Sequence, residues 1–147
     1  MAYLNKEEYE LSLKMLQRAQ ILCESNNQAK AITYNNIACY YRKIGKLKLA
    51  LTYLQSALEI EKTLEVTESA ADTHLNICAV LSQLNKHDLA LLHGTSAVAL
   101  LQELMIRGLT LNSERFAVLA IAYHNIGVEQ EFLKRVFVTH KNSMMQQ

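Results

Sequence analysis

The stretch TYNNIACYYRKIGKLKLA, residues 33–50, decides how the chain is read. Tyr34, a ring residue, is followed by Asn36, Ile37 and the small Ala38. Tyr41, a turn at Ile44-Gly45-Lys46 and an apolar run come next. The core of this pattern returns as His74-Leu75-Asn76-Ile77-Cys78 and as Tyr123-His124-Asn125-Ile126-Gly127. The first two starts are 40 residues apart and the last two 49. Self-similarity at such a period marks stacked two-element units.

The intervening segments read as helices. Leu84-Asn85-Lys86 repeats the turn of Ile44-Gly45-Lys46, and Leu4-Asn5-Lys6 belongs to the same class. The segments after these turns are EEYELSLKMLQRAQIL, LKLALTYLQSALEI and HDLALLHGTSAVAL, with apolar or small residues at helical spacing. Asn5 with Glu8, Ser25 with Gln28, and Ser69 with Asp72 read as N-caps, and Asn112-Ser113-Glu114 as a further start. Gly45 and Asn85 sit where a helix ends in a left-handed residue. Seven helices are expected, at about 6–24, 27–44, 47–65, 69–84, 87–107, 113–134 and 136–145. Short connections make neighbouring helices antiparallel. The longer last interval is expected to lengthen the fifth and sixth helices.

Bulk properties agree. The 147 residues are 50% apolar and 20% charged, enough to offset the ordering entropy of one domain. There is no proline and only four glycines, which favours helices over a turn-rich β fold. A net charge of +1 gives no basic face for nucleic acid. Cys23, Cys39 and Cys78 form no disulfide or zinc spacing, which suits a reducing, cytoplasmic setting. The charged start MAYLNKEEYE is not a signal peptide. LALLHGTSAVALLQELMI is broken by His93, Gln102 and Glu103, so it reads as a buried helix rather than a membrane insertion.

These residues resemble the tetratricopeptide repeat family, best over Ala31–Leu64 and Ala71–Glu103. Tyr34, Ile37, Ala38, Tyr41, Gly45, Leu47, Ala50, Leu54 and Ala57 fall on its aromatic, small and alanine positions. His74, Ile77, Cys78, Leu81, Asn85, His87, Ala90, Gly94 and Ala97 do so in the next repeat. Tyr9, Ser12, Leu16 and Ala19 match the second half of an incomplete repeat, and the repeat begun near Tyr123 breaks off. The 40-residue period and missing proline resemble the kinesin light chain variety. The resemblance implies an all-α, right-handed α-solenoid of stacked antiparallel helix pairs over 1–147 as one domain: 6–24 a half repeat, 27–65 and 69–107 full repeats, 113–147 a truncated one. Small residues let the helices approach, and Tyr34, Tyr41 and Tyr123 fill the spaces between pairs.

The resemblance also places a groove along the first helices of the pairs. By that register Ile32, Asn35, Asn36, Cys39 and Lys43 point into it, followed by Asp72, Leu75, Asn76, Ala79 and Gln83, then Ile121, His124, Asn125, Val128 and Phe132. Asn36, Asn76 and Asn125 would form a row of amides able to grip a partner's backbone. The competing reading has these amides bonding to neighbouring helices or to water. The expected peptide contacts are Asn35, Asn36, Lys43, Asp72, Asn76, Gln83, His124 and Asn125. With Arg42 and Lys43 the only cations there and Asp72 opposed to them, a clamp for a terminal carboxylate is disfavoured.

Other chemistry is thin. His74 and Cys78 are one turn apart but occupy packing positions, so no metal is expected. His87 and His93 lack a carboxylate or thiol pattern between them. Cys39 and His124 lie in different repeats without a third orienting group. The glycines at 45, 94, 108 and 127 make no phosphate loop. The chain is therefore expected to be a non-enzymatic, cofactor-free scaffold holding a peptide or helix of a protein partner. The alternative is a structural subunit that stacks end to end, in a cytoskeletal or ciliary complex. KNSMMQQ reads as a frayed tail or the cut end of a longer protein.

Overall fold

A computed structural model describes residues 6–108 and 112–147. Among these residues every regular element is an α-helix: α1 Lys6–Leu22, α2 Asn27–Lys43, α3 Leu47–Thr63, α4 Thr67–Gln83, α5 His87–Ile106 and α6 Ser113–Met145. The chain divides into two compact units, Met1–Val66 and Thr67–Gln147. Consecutive helices pack against each other within each unit, the helix-pair arrangement of an α-solenoid.

The 40-residue period has a simple origin. Helices α2, α3 and α4 each span 17 residues, and three residues join each to the next, giving a 20-residue step. Each step closes the same way. Gly45, Glu65 and Asn85 all have positive φ, at 82°, 55° and 60°. The next residue's N–H then reaches back to the last turn: Lys46 to Tyr41 O at 2.8 Å, Val66 to Glu61 O at 3.0 Å, Lys86 to Leu81 O at 2.9 Å. These bonds satisfy carbonyls that a helix end leaves open. Gly45 and Asn85 meet the expectation; Glu65 is a left-handed residue the sequence does not advertise.

Starts are less regular than expected. Asn26, not Ser25, caps α2, its Oδ1 accepting from Ala29 N–H at 3.0 Å. Helix α4 begins at Thr67, so Ser69 lies inside its first turn. Asn112 does cap α6, accepting from Arg115 N–H at 2.9 Å. The Asn5 cap lies outside the described residues.

In the first unit α1 lays a stripe of Tyr9, Leu13, Leu16, Gln20 and Cys23 against α2. Tyr34 and Tyr41 of α2 both meet Tyr53 of α3, at 5.4 and 5.7 Å between ring centroids, so these rings fill the α2–α3 space as expected. Ala50 and Ala57 are fully buried and leave no room for a larger side chain.

In the second unit Ala71, Leu101 and Leu104 form one core cluster and Leu75, Ala97, Val98 and Ala122 another. These pairings run α4 antiparallel to α5. By length and composition α5 is apolar enough to cross a membrane, and its Ala90, Gly94, Ala97, Val98, Leu101 and Leu104 are buried in this unit. The two helices expected at 113–134 and 136–145 are one. No proline or glycine marks the expected break at Arg135, whose Nε instead donates to Glu131 one turn back at 3.1 Å. In consequence, among the described residues no later helix folds back over α6, and Tyr123, expected to fill a space between pairs, is 51% exposed.

Candidate protein-binding groove

In the first unit α1 and α2 border an open groove of about 540 Å³. Tyr9, Leu11, Ser12, Met15 and Leu16 form one wall, and Asn36, Cys39, Tyr40 and Lys43 the other. Helical spacing explains both walls. Ser12, Met15 and Leu16 lie on one side of α1, and Asn36, Cys39, Tyr40 and Lys43 follow one another around successive turns of α2. Tyr9 and Tyr40 close one side with their rings edge to face at 6.1 Å. The groove is thus apolar on α1 and mixed on α2, with the Asn36 amide and the Lys43 ammonium exposed beside an exposed thiol, Cys39.

The expected contacts distribute as follows. Asn36 and Lys43 line this groove. Asn35 is half-buried, and its amide donates to Ala31 O one turn back at 3.3 Å. In the second unit Asn76 and Asn125 are half-buried, while Gln83 and His124 are exposed. His124 borders a shallow depression with Tyr123, Gly127, Val128 and Phe132 along α6.

Asp72 is committed within its own unit. Arg115 of α6 donates to Asp72 at 3.3 Å and to Glu68 at 2.8 Å, joining α4 to α6. Partial burial pushes the Asp72 carboxyl above its ordinary range and outweighs the pull of the Arg115 guanidinium in the other direction.

His74, His87, His93 and Cys78 sit in helix contacts of the second unit. His74 Nδ1 and His93 Nδ1 share a hydrogen bond at 2.9 Å across α4 and α5. Cys78 is buried, which pushes its thiol up to about 11, and the nearby charge of Glu129 adds to the shift. His87 Nδ1 contacts Glu129 Oε2 at 2.5 Å while its ring stacks on Phe132 at 3.7 Å. A carboxylate only accepts, so the imidazole Nδ1 carries the proton. Among the described residues no three His, Cys, Asp or Glu side chains converge as metal ligands.

Three features escaped the sequence reading: the α1 wall, the Arg115 tie and the His87–Glu129 pair. The first had a signal, since Leu11 and Met15 stand on the side of α1 away from the Tyr9–Leu16 stripe. The other two join residues more than 40 positions apart with no pattern to link them.

Residues 1–63 match the family model described as Tetratricopeptide repeat. No curated protein and no solved structure matches the chain.

Proposed function

We propose, from the match of residues 1–63 to the tetratricopeptide repeat family, that this chain is a non-catalytic scaffold whose α1–α2 groove holds a helical segment of a protein. Repeats of this family are in general protein-interaction scaffolds. The observation that carries the reading is the groove itself, with an apolar wall from Leu11, Met15 and Leu16 facing an amide and an ammonium. An amphipathic helix would bury its apolar stripe on α1 and present polar groups to Asn36 and Lys43. Asn35 shapes the α2 wall from behind. In the second unit Asn76, Gln83, His124 and Asn125 are the proposed polar contacts, with Asp72 holding α6 in place through Arg115.

The test is a photocrosslinking side chain at Asn36 in the native cell. A protein adduct should form there and disappear when Met15→Glu places a charge on the apolar wall. An adduct indifferent to that charge, or one formed only from the outward-facing Thr95, would remove the groove from consideration.

A further inference from the structure

The second unit contains a helix seated across two others: α4 packs on both α5 and α6. On α5 it meets His93 through His74, and a methyl built on Gly94 would come within 3.6 Å of Cys78 Sγ. The α1–α2 pair of the first unit repeats the α5–α6 pair. The stripe Tyr9, Leu13, Leu16, Gln20, Cys23 on α1 has the spacing of His87, Leu91, Gly94, Val98, Leu101 on α5. Tyr9 faces Tyr40 where His87 faces Glu129. In this register the counterparts of Ala90, His93 and Gly94 are Ser12, Met15 and Leu16, and all three line the open groove. The groove is the seat that α4 takes in the second unit.

Helix α6 carries the face that such a seat receives. Ala71, His74, Cys78 and Leu81 are buried on α4, whereas their counterparts Ala120, Tyr123, Gly127 and Gln130 on α6 are exposed. A methyl built on Gly127 would meet nothing within 4 Å.

We propose that α6 of one copy docks in the α1–α2 groove of a second copy. This rests on the reading that the groove takes a helix and names that helix. Tyr123 then lies against Met15, and Gly127 gives Leu16 its space. With the two helices antiparallel, as α4 and α5 are, Lys134 and Arg135 come alongside Glu7, Glu8 and Glu10. Two different surfaces meet, so the contact is heterologous and propagates into rings or filaments instead of stopping at a pair.

Sedimentation velocity of the full chain over a range of concentrations tests this. Wild type should pass beyond dimers as concentration rises and retreat with added salt. Gly127→Ala should assemble like wild type, because the counterparts Ala38 and Cys78 are themselves small. Gly127→Arg and Met15→Glu should each stay monomeric with unchanged helicity. Mixed, those two should form a one-to-one dimer, since the first retains an intact groove and the second an intact α6. A wild type that stays monomeric, a Gly127→Arg variant that assembles as Gly127→Ala does, or a mixture that yields no dimer overturns the proposal. If wild type is monomeric while the Asn36 adduct is still lost on Met15→Glu, self-docking falls and the scaffold reading stands. If assembly follows the expected pattern with no foreign adduct, the groove serves this chain alone.

Discussion

Gly94 of α5 lies directly beneath Ile126 of α6: a methyl group built on it would sit 3.2 Å from Ile126 Cγ1. Where the preceding repeat has Leu54 at this position, the second has no side chain, because α6 comes down on it. Gly94→Ala gains helix propensity but asks Ile126 to shift by a few tenths of an ångström. Gly94→Val adds further bulk against Ile126 and Cys78 and should cost about 1–3 kcal/mol. Urea unfolding measures this, and an unchanged midpoint for the valine variant would contradict the contact.

The His87–Glu129 pair should be the costliest polar contact to break. Glu129 is 2% exposed, so His87→Ala strands a carboxylate without its donor. A loss of about 3 kcal/mol is expected. Glu129→Gln keeps a hydrogen-bonding group of the same shape and should lose less. A Glu129→Gln variant as stable as wild type, beside a large loss for His87→Ala, would mean that packing of the imidazole on Phe132, not the pairing, sets the cost.

Glu65 stands where Gly45 and Asn85 stand in the neighbouring turns, at φ 55°. A side chain there carries a left-handed penalty of about 1 kcal/mol. Glu65→Gly should therefore raise stability by up to about 1 kcal/mol, while Gly45→Ala, whose new methyl meets nothing within 4 Å, should lower it by a similar amount through backbone strain alone. Thermal melts of both variants check the pair; a stabilised Gly45→Ala would be inconsistent with this turn geometry.

Asp72 gives a pH dependence with a definite sign. Its carboxyl is raised by burial, so the folded chain takes up this proton before the unfolded chain does. The group's contribution to stability is fully present below its unfolded value and is lost as pH rises through its folded one. The stability of wild type relative to Asp72→Asn should accordingly improve on acidification through the carboxyl range. Denaturant midpoints of the two proteins at several pH values give the comparison, and a difference that moves the other way would show the Arg115 pairing to dominate.

The helices were legible because their apolar positions recur at helical spacing and because Gly45, Asn85 and Asn112 carry conformational preferences of their own. Glu65 was hidden for the opposite reason: glutamate favours the helix it here terminates. The last helix was divided by analogy with earlier repeats, although Lys134-Arg135-Val136 contains nothing that stops a helix. Within the groove, Asn36, Cys39 and Lys43 followed from the register of α2. The α1 wall did not, since a groove lined by first helices directs attention away from a second-type helix such as α1. Asp72 was taken as a partner contact because its tie to Arg115 spans 43 positions and leaves no local trace.

The overhang of α6 has a consequence for local opening. From Lys134 onward every residue of the helix is exposed, so its last turns are held by little beyond their own backbone bonds. An unsupported helical segment of this length is marginal in water. Amide hydrogens near Ala122 should exchange only on cooperative opening of the unit, whereas those near Thr139 should exchange by fraying, within a single uninterrupted helix. Hydrogen–deuterium exchange would resolve that slope. If copies join through α6, slowed exchange in its outer turns would register the joining directly.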